Sequence, residues 1–174
     1  AIGEFLIFLD SDDFWGDELF LEKVSKYSEN ADLIVFDFKM ISDKDQTKHG
    51  KPYDSVKDLK FSYTNGKAFL EDALYKMPDY LWYPYKYVLR SKVWKENHIS
   101  FPQGRIYEDC ATMFLYILKA NKVIVLQECF YNYRVFRQGA LTSFDTGKTL
   151  EDRLLAAVQP IEYLMQQDTL SQEL

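Results

Sequence analysis

The feature that most constrains this chain lies at positions 5–9, where the apolar run Phe-Leu-Ile-Phe-Leu passes straight into Asp10-Ser11-Asp12-Asp13. A short apolar run closed by polar turn residues fits a strand buried on both faces, as in a parallel sheet. The acidic elbow then stands at the carboxyl end of a core strand. Open α/β sheets bind their ligands there.

The rest of the chain continues the α/β pattern. Residues 17–27 place Phe20, Val24 and Tyr27 at helical spacing, with Asp17 and Glu18 at the positive end of the dipole. Leu33-Ile34-Val35-Phe36, within 32–40, is a second buried-strand signal. Residues 42–55 are polar, with Gly50 and Pro52, and read as a surface loop or hairpin excursion. A short strand over 61–63 and a turn at Asn65-Gly66 lead to a helix over 67–75. Residues 80–89 gather Tyr80, Trp82, Tyr83, Tyr85 and Tyr87. A short helix over 91–97 has Ser91 as its expected cap. After a turn at 101–104, residues 108–120 give the clearest helix, with Ala111, Phe114, Leu115 and Leu118 on one face. Residues 122–133 read as one or two strands. Thr149-Leu150-Glu151-Asp152 matches a capping box, and the helix behind it is expected to kink or restart near Pro160. With no repeat or linker, the organisation is one α/β body over 1–147 and an amphipathic helical segment over 148–174.

Composition excludes several classes. Hydrophobic residues at 47% and charged residues at 28% describe a globular chain, not a disordered one. Twenty-one Lys and Arg against 27 Asp and Glu leave a net charge of −6, which argues against a nucleic-acid partner. Two cysteines exclude a disulfide-dense scaffold; Cys110 and Cys129 read as core thiols, and His49 and His98 share no ligand spacing. No run approaches the roughly 18 apolar residues of a membrane span. Glu4 and Asp10 interrupt the apolar start, which does not suit a signal peptide. The chain lacks an initiator Met and opens directly into a strand, which predicts a piece cut just before a core strand.

Two acidic groups carry the chemistry. Three carboxylates within the four residues 10–13 repel one another and raise one another's pKa. A hard divalent cation, Mg²⁺ or Mn²⁺, relieves that repulsion and prefers oxygen ligands shared with phosphates. The alternative is a solvated loop in which one Asp caps the next helix. The second group, Glu108-Asp109, opens the amphipathic helix. There the dipole is expected to hold a carboxylate ionised, the state a general base needs, although the same residues also suit a plain cap.

Together these stretches resemble the family 2 glycosyltransferases, inverting sugar transferases of the GT-A fold. The resemblance rests on Gly3 to Asp13, on Phe101-Pro102-x-Gly104-x-x-Tyr107-Glu108-Asp109, and on Tyr131-x-Tyr133-Arg134 with Ser143 downstream; it covers about residues 1–145. It implies a partial GT-A mixed sheet flanked by helices. It implies Asp10 and Asp12 as ligands of Mn²⁺ or Mg²⁺ and of the donor diphosphate or ribose, with Asp13 beside the donor sugar. Asp109 would be the base that deprotonates the acceptor hydroxyl, supported by Glu108. Arg134 and Arg137 could reach diphosphate oxygens, since guanidinium forks suit them. The donor would be a nucleotide sugar, most simply a UDP-sugar, and the acceptor a saccharide or lipid-linked molecule. Trp82 and Tyr83 are the acceptor candidates among the aromatics, because flat rings stack on sugar C–H faces. The family's nucleotide-gripping βαβ unit precedes the elbow strand and is missing from this sequence, so the chain alone is expected to be inactive and its first strand to be an exposed edge. The implied setting is surface polysaccharide synthesis in the cytoplasm or at the inner face of the membrane. Scarce Lys and Arg in 148–174 favour a packed or dimerising helix over peripheral membrane association.

Two other readings stay open. A haloacid-dehalogenase-type phosphatase also uses an apolar strand ending in Asp-x-Asp, with Asp10 as nucleophile and Asp12 as acid/base. Asp13 and the lack of a later Gly-Asp-x-x-x-Asp cluster count against it. The third reading is a non-catalytic interaction domain derived from a transferase.

Overall fold

Side-chain alternation along two long strands builds the core. Strand β3 (Leu33–Ser42) lies parallel to strand β6 (Val123–Val135). Leu33, Val35, Val123 and Val125 point to one face and Ile34, Phe36, Ile124 and Leu126 to the other. The first face packs on helices α2 (Gly66–Lys76) and α4 (Glu108–Lys119), through Phe69, Ala73, Met113 and Ile117. Helix α1 (Phe20–Ser28) covers the second face with Phe20 and Val24. Covering both faces explains the unbroken apolar run at 33–36.

In this computed structural model, which describes residues 2–42, 54–78, 81–135 and 147–172, the remaining strands pair antiparallel. With β1 (Phe5–Ile7), β2 (Phe14–Trp15) and β5 (Tyr87–Arg90), the sheet order is β1-β5-β3-β6-β2, and β4 (Ser62–Tyr63) adds to the start of β6. Pro84–Lys86 forms a 3₁₀ turn before β5, and α3 (Ser91–Glu96) follows it directly. The last helix, α5 (Gly147–Gln172), lies on α4, where Tyr163 meets Phe114. The result is the expected mixed α/β sheet flanked by helices.

Several local expectations change. β1 is not a strand buried on both faces in a parallel array. It is a half-buried edge strand, antiparallel to β5, and Leu9 beyond it is 50% exposed. α1 begins at Phe20, so Asp17 lies before the helix, accepting from Leu19 N–H and pairing with Lys23. Ser91 is the first helical residue and caps nothing: its buried hydroxyl has no partner, while its N–H donates to Glu4 O. On α4 the deeply buried side chains are Met113, Phe114, Tyr116 and Ile117, while Ala111, Leu115 and Leu118 are half-buried. The helix has neighbours on two sides, α2 and the sheet on one and α5 on the other, so a single amphipathic stripe describes it poorly. Residues 123–135 are one strand, not two. α5 starts at Gly147, ahead of the capping-box Thr149, and runs through Pro160 without restarting. Cys110 and Cys129 are half-buried rather than core. Most of the polar stretch 42–55, together with Tyr80 and His49, lies outside the described residues.

Two close contacts hold the layers. Gly66 N–H donates to Ala120 O at 2.7 Å, and a Cβ on Gly66 would meet Ile117 O at 1.5 Å. Only glycine lets α2 start that close to the end of α4. In the sheet, register shifts around Asp37 accompany its burial at 3% exposure. Its carboxylate accepts from Phe38 N–H, Ser55 N–H and Ser55 Oγ, and the Lys86 ammonium donates to Ser55 Oγ at 2.8 Å. Burial pulls Lys86 down to about 8, against the attraction of Asp37.

Candidate active site

The acidic elbow is a turn clasped by β6. Asp13 N–H donates to Asp10 O at 3.1 Å, which closes the turn over 10–13. β2 pairs next to it, Phe14 with Asn132 and Trp15 with Tyr131. That register brings the Tyr131 hydroxyl to the elbow. It accepts from Asp10 N–H at 3.1 Å and donates to Asp13 Oδ2 at 2.7 Å. Asp13 Oδ1 accepts Arg134 N–H at 2.8 Å. Asp13 is therefore tied to β6 through both carboxylate oxygens. Arg134 contributes its backbone here, and its guanidinium lies over the Phe14 ring at 5.4 Å.

The second acidic pair faces the first. Phe8 packs on Phe101 at 5.3 Å and Trp94 at 5.7 Å, which ties the end of β1 to the turn ahead of α4. Burial raises the Asp10 pKa, and the charges of Asp12 and Glu108 add to the shift. Burial also raises Asp13, although the Arg134 N–H and the Tyr131 hydroxyl oppose it. Tyr133, raised mainly by burial, feels Asp13, Asp10, Asp12 and Asp109 together. Two motifs nearly a hundred residues apart thus share one electrostatic neighbourhood.

Neither Glu108 nor Asp109 caps α4. Tyr107 precedes the helix in the left-handed region, at φ 65°, with no side-chain cap. The dipole does not win at Asp109 either. Burial, then the Glu108 charge, pushes this carboxyl up to about 6, against hydrogen bonds from the Cys110 thiol and backbone. The expectation of a firmly ionised carboxylate is corrected to one poised near neutrality, which suits proton abstraction from a hydroxyl.

The aromatic expectations divide. Tyr83 lies on the elbow side, 5.3 Å from Tyr85. Tyr85 stacks on Tyr131 at 4.4 Å and 5° and on Tyr133 at 5.4 Å and 18°. Its hydroxyl is buried with no partner among the described residues. Trp82 instead packs on Phe114 at 6.2 Å, on the opposite core, and lines a groove between α4 and α5. Sequence reasoning quoted Tyr131 and Tyr133 but gave them no role, and left Tyr85 in the core. The signal was the alternation Tyr131-x-Tyr133, which puts both rings on one face of β6. Arg137 and Ser143 lie outside the described residues.

Among the described residues, no three His, Cys, Asp or Glu side chains gather into a ready metal cage. Asp10 and Asp12 still fit a Mg²⁺-type ion, which takes one or two carboxylates and fills its shell with water and substrate phosphates. Such an ion, when bound, would neutralise charge on a diphosphate leaving group. The residues of this chain do the rest: Tyr131 and Arg134 hold the elbow in shape, and Asp109 takes up a proton on the other side of the site.

No protein-family model matches this chain, and no curated protein matches it. Solved structures do. S. aureus TarS 1–349 in complex with UDP-GlcNAc is similar over 91% of this chain and 43% of that one, with 22% identity and a TM-score of 0.66. TarS 1–349 in complex with UDP is similar over 78% of this chain and 37% of that one, with 24% identity and a TM-score of 0.54. The chain spans less than half the length of these structures. What the likeness establishes is architecture: this chain has the mixed α/β fold of part of the glycosyltransferase TarS.

Proposed function

We propose that this chain carries the metal elbow and the acceptor-side base of an inverting family 2 glycosyltransferase. Asp10 and Asp12 hold Mn²⁺ or Mg²⁺ and the donor diphosphate, and Asp13 lies by the donor sugar. Asp109, supported by Glu108, deprotonates the acceptor hydroxyl. The oxygen attacks the anomeric carbon as the bond to the diphosphate breaks, so one displacement inverts that centre. The observation that supports this most is the approach of the two acidic motifs, with Glu108 raising Asp10 and Tyr133 feeling both groups. The TarS structures with UDP-GlcNAc and UDP make a UDP-sugar the donor of choice. The pathway we assign is surface polysaccharide synthesis at the cytoplasmic face of a membrane. The placement of β1 at an antiparallel edge, together with the TarS-like fold, favours this reading over the phosphatase.

Calorimetric titration of UDP, then GDP, with Mn²⁺ tests the proposal beside an Asp10→Ala, Asp12→Ala double variant. The expected result is metal-dependent binding that the double variant loses. Binding that survives in the variant would overturn the assignment of the elbow. No binding by the folded chain would favour the non-catalytic reading, and a trapped aspartyl-phosphate would favour the phosphatase.

A further inference from the structure

A groove of about 360 Å³ opens between α4 and α5, within the size range of small-molecule sites. Its floor and walls are apolar, from Trp82, Phe114, Ala157, Pro160 and Ile161 among others. Leu74, Ile161 and Leu164 on its rim are 47%, 57% and 45% exposed, so apolar surface continues outward from it. Arg153 is the one charged residue on its lining. Its Nε donates to the Tyr107 hydroxyl at 2.9 Å, and its guanidinium lies over that ring at 5.1 Å. Tyr107 and Cys110, the residues on either side of Glu108-Asp109, both line the groove.

A saccharide needs hydrogen-bonding groups all round, and these walls do not offer them. A hydrocarbon chain needs none. The single guanidinium at the mouth suits an anionic head, and phosphate matches its fork. The geometry points to an amphiphilic acceptor whose hydrocarbon chain lies in this groove, whose phosphate meets Arg153 and whose reactive hydroxyl is thereby delivered to Asp109. This inference rests on the transferase reading for Asp109 and names the acceptor class for that site. Trp82 then serves the acceptor as groove wall, not as a sugar-stacking ring.

The test uses the 174-residue chain without donor or metal, so it stands apart from the UDP titration. Octyl, decyl and dodecyl phosphate, each kept below its micelle concentration, are titrated by calorimetry, with dodecyl maltoside as a neutral-headed control. Affinity should rise roughly three- to fourfold for each methylene the groove buries. Ala157→Trp, at an exposed position, should fill the groove and abolish binding while the circular dichroism spectrum is unchanged. Arg153→Gln should weaken the alkyl phosphates about tenfold and leave the maltoside unchanged. Affinity independent of chain length, or unaffected by Ala157→Trp, would overturn the groove as the site. Equal losses for phosphate and maltoside in Arg153→Gln would overturn the anionic head. Failure here with intact UDP binding would sink the acceptor class alone; loss of UDP binding with intact alkyl-phosphate binding would sink the transferase reading and leave an amphiphile site.

Discussion

Asp109 shows how one residue can serve chemistry at the expense of stability. Its carboxyl sits near 6 in the folded chain against 3.8 for the free group, because burial penalises the anion. Folding therefore favours the protonated form. The stability this adds is complete below about pH 4 and is lost as pH rises through 6. The rate should run the other way, rising with pH through about 6 as the base ionises. Asp109→Asn is expected to raise the urea midpoint at pH 7 while sugar transfer from a UDP-sugar falls by about 10²- to 10⁴-fold. A variant that lost activity and stability together would mark Asp109 as a structural residue. The sequence placed this residue correctly and its ionisation wrongly. Helix position is written in the order of residues, whereas burial comes from how α4, α5 and the elbow pack.

At the scale of elements, local patterning was a good guide wherever one physical effect dominated. The runs at 33–36 and 123–126 told of strands covered on both faces, and Asn65, as expected of a turn residue, caps α2 by accepting Ala68 N–H at 2.8 Å. It was a poor guide where tertiary contact decided. The Ser91 and Thr149 signals are sound cap chemistry, yet both fall inside their helices. The elbow was legible as three acids after an apolar run, but its clasp was not. Tyr131 reaches it from the far end of the chain, and pairing register, not sequence spacing, brings them together. The Gly66 contact makes a sharp test of this level. Gly66→Ala should cost about 3 kcal/mol or more and lower Tm by roughly 6–12 °C, since backbone must move to admit the methyl group. Gly104→Ala, at φ 73° with nothing within 4 Å, should cost only about 1 kcal/mol. Equal losses in the two melts would show that the helix–helix approach is not what Gly66 secures.

For the molecule as a whole, the buried Lys86–Ser55–Asp37 group ties β3, the 54–55 turn and the start of β5 into one unit. Lys86 sits near 8 when folded and 10.5 when free, so the unfolded chain holds more protons between those values. Stability should rise with pH from about 8 to 10, by up to about 1.4 kcal/mol per unit. Above 10 the buried hydroxyls of Tyr85, Tyr87 and Tyr116, held well above their usual range, reverse the trend. Urea midpoints at pH 8, 9 and 10 should climb in the parent chain and stay flat in Lys86→Met; parallel profiles would show that Lys86 titrates elsewhere.

Strand β6 belongs to this unit at one end, through Val123 to Leu126 in the core, and to the elbow at the other, through Tyr131 and Arg134. A strand that lies in the central ladder opens only when the domain opens. The tyrosine clasp therefore has no melting transition of its own, whereas the half-exposed acids it holds can loosen and re-form around an incoming ligand. The rigid partner is the one without charge, and adaptation is left to the carboxylates.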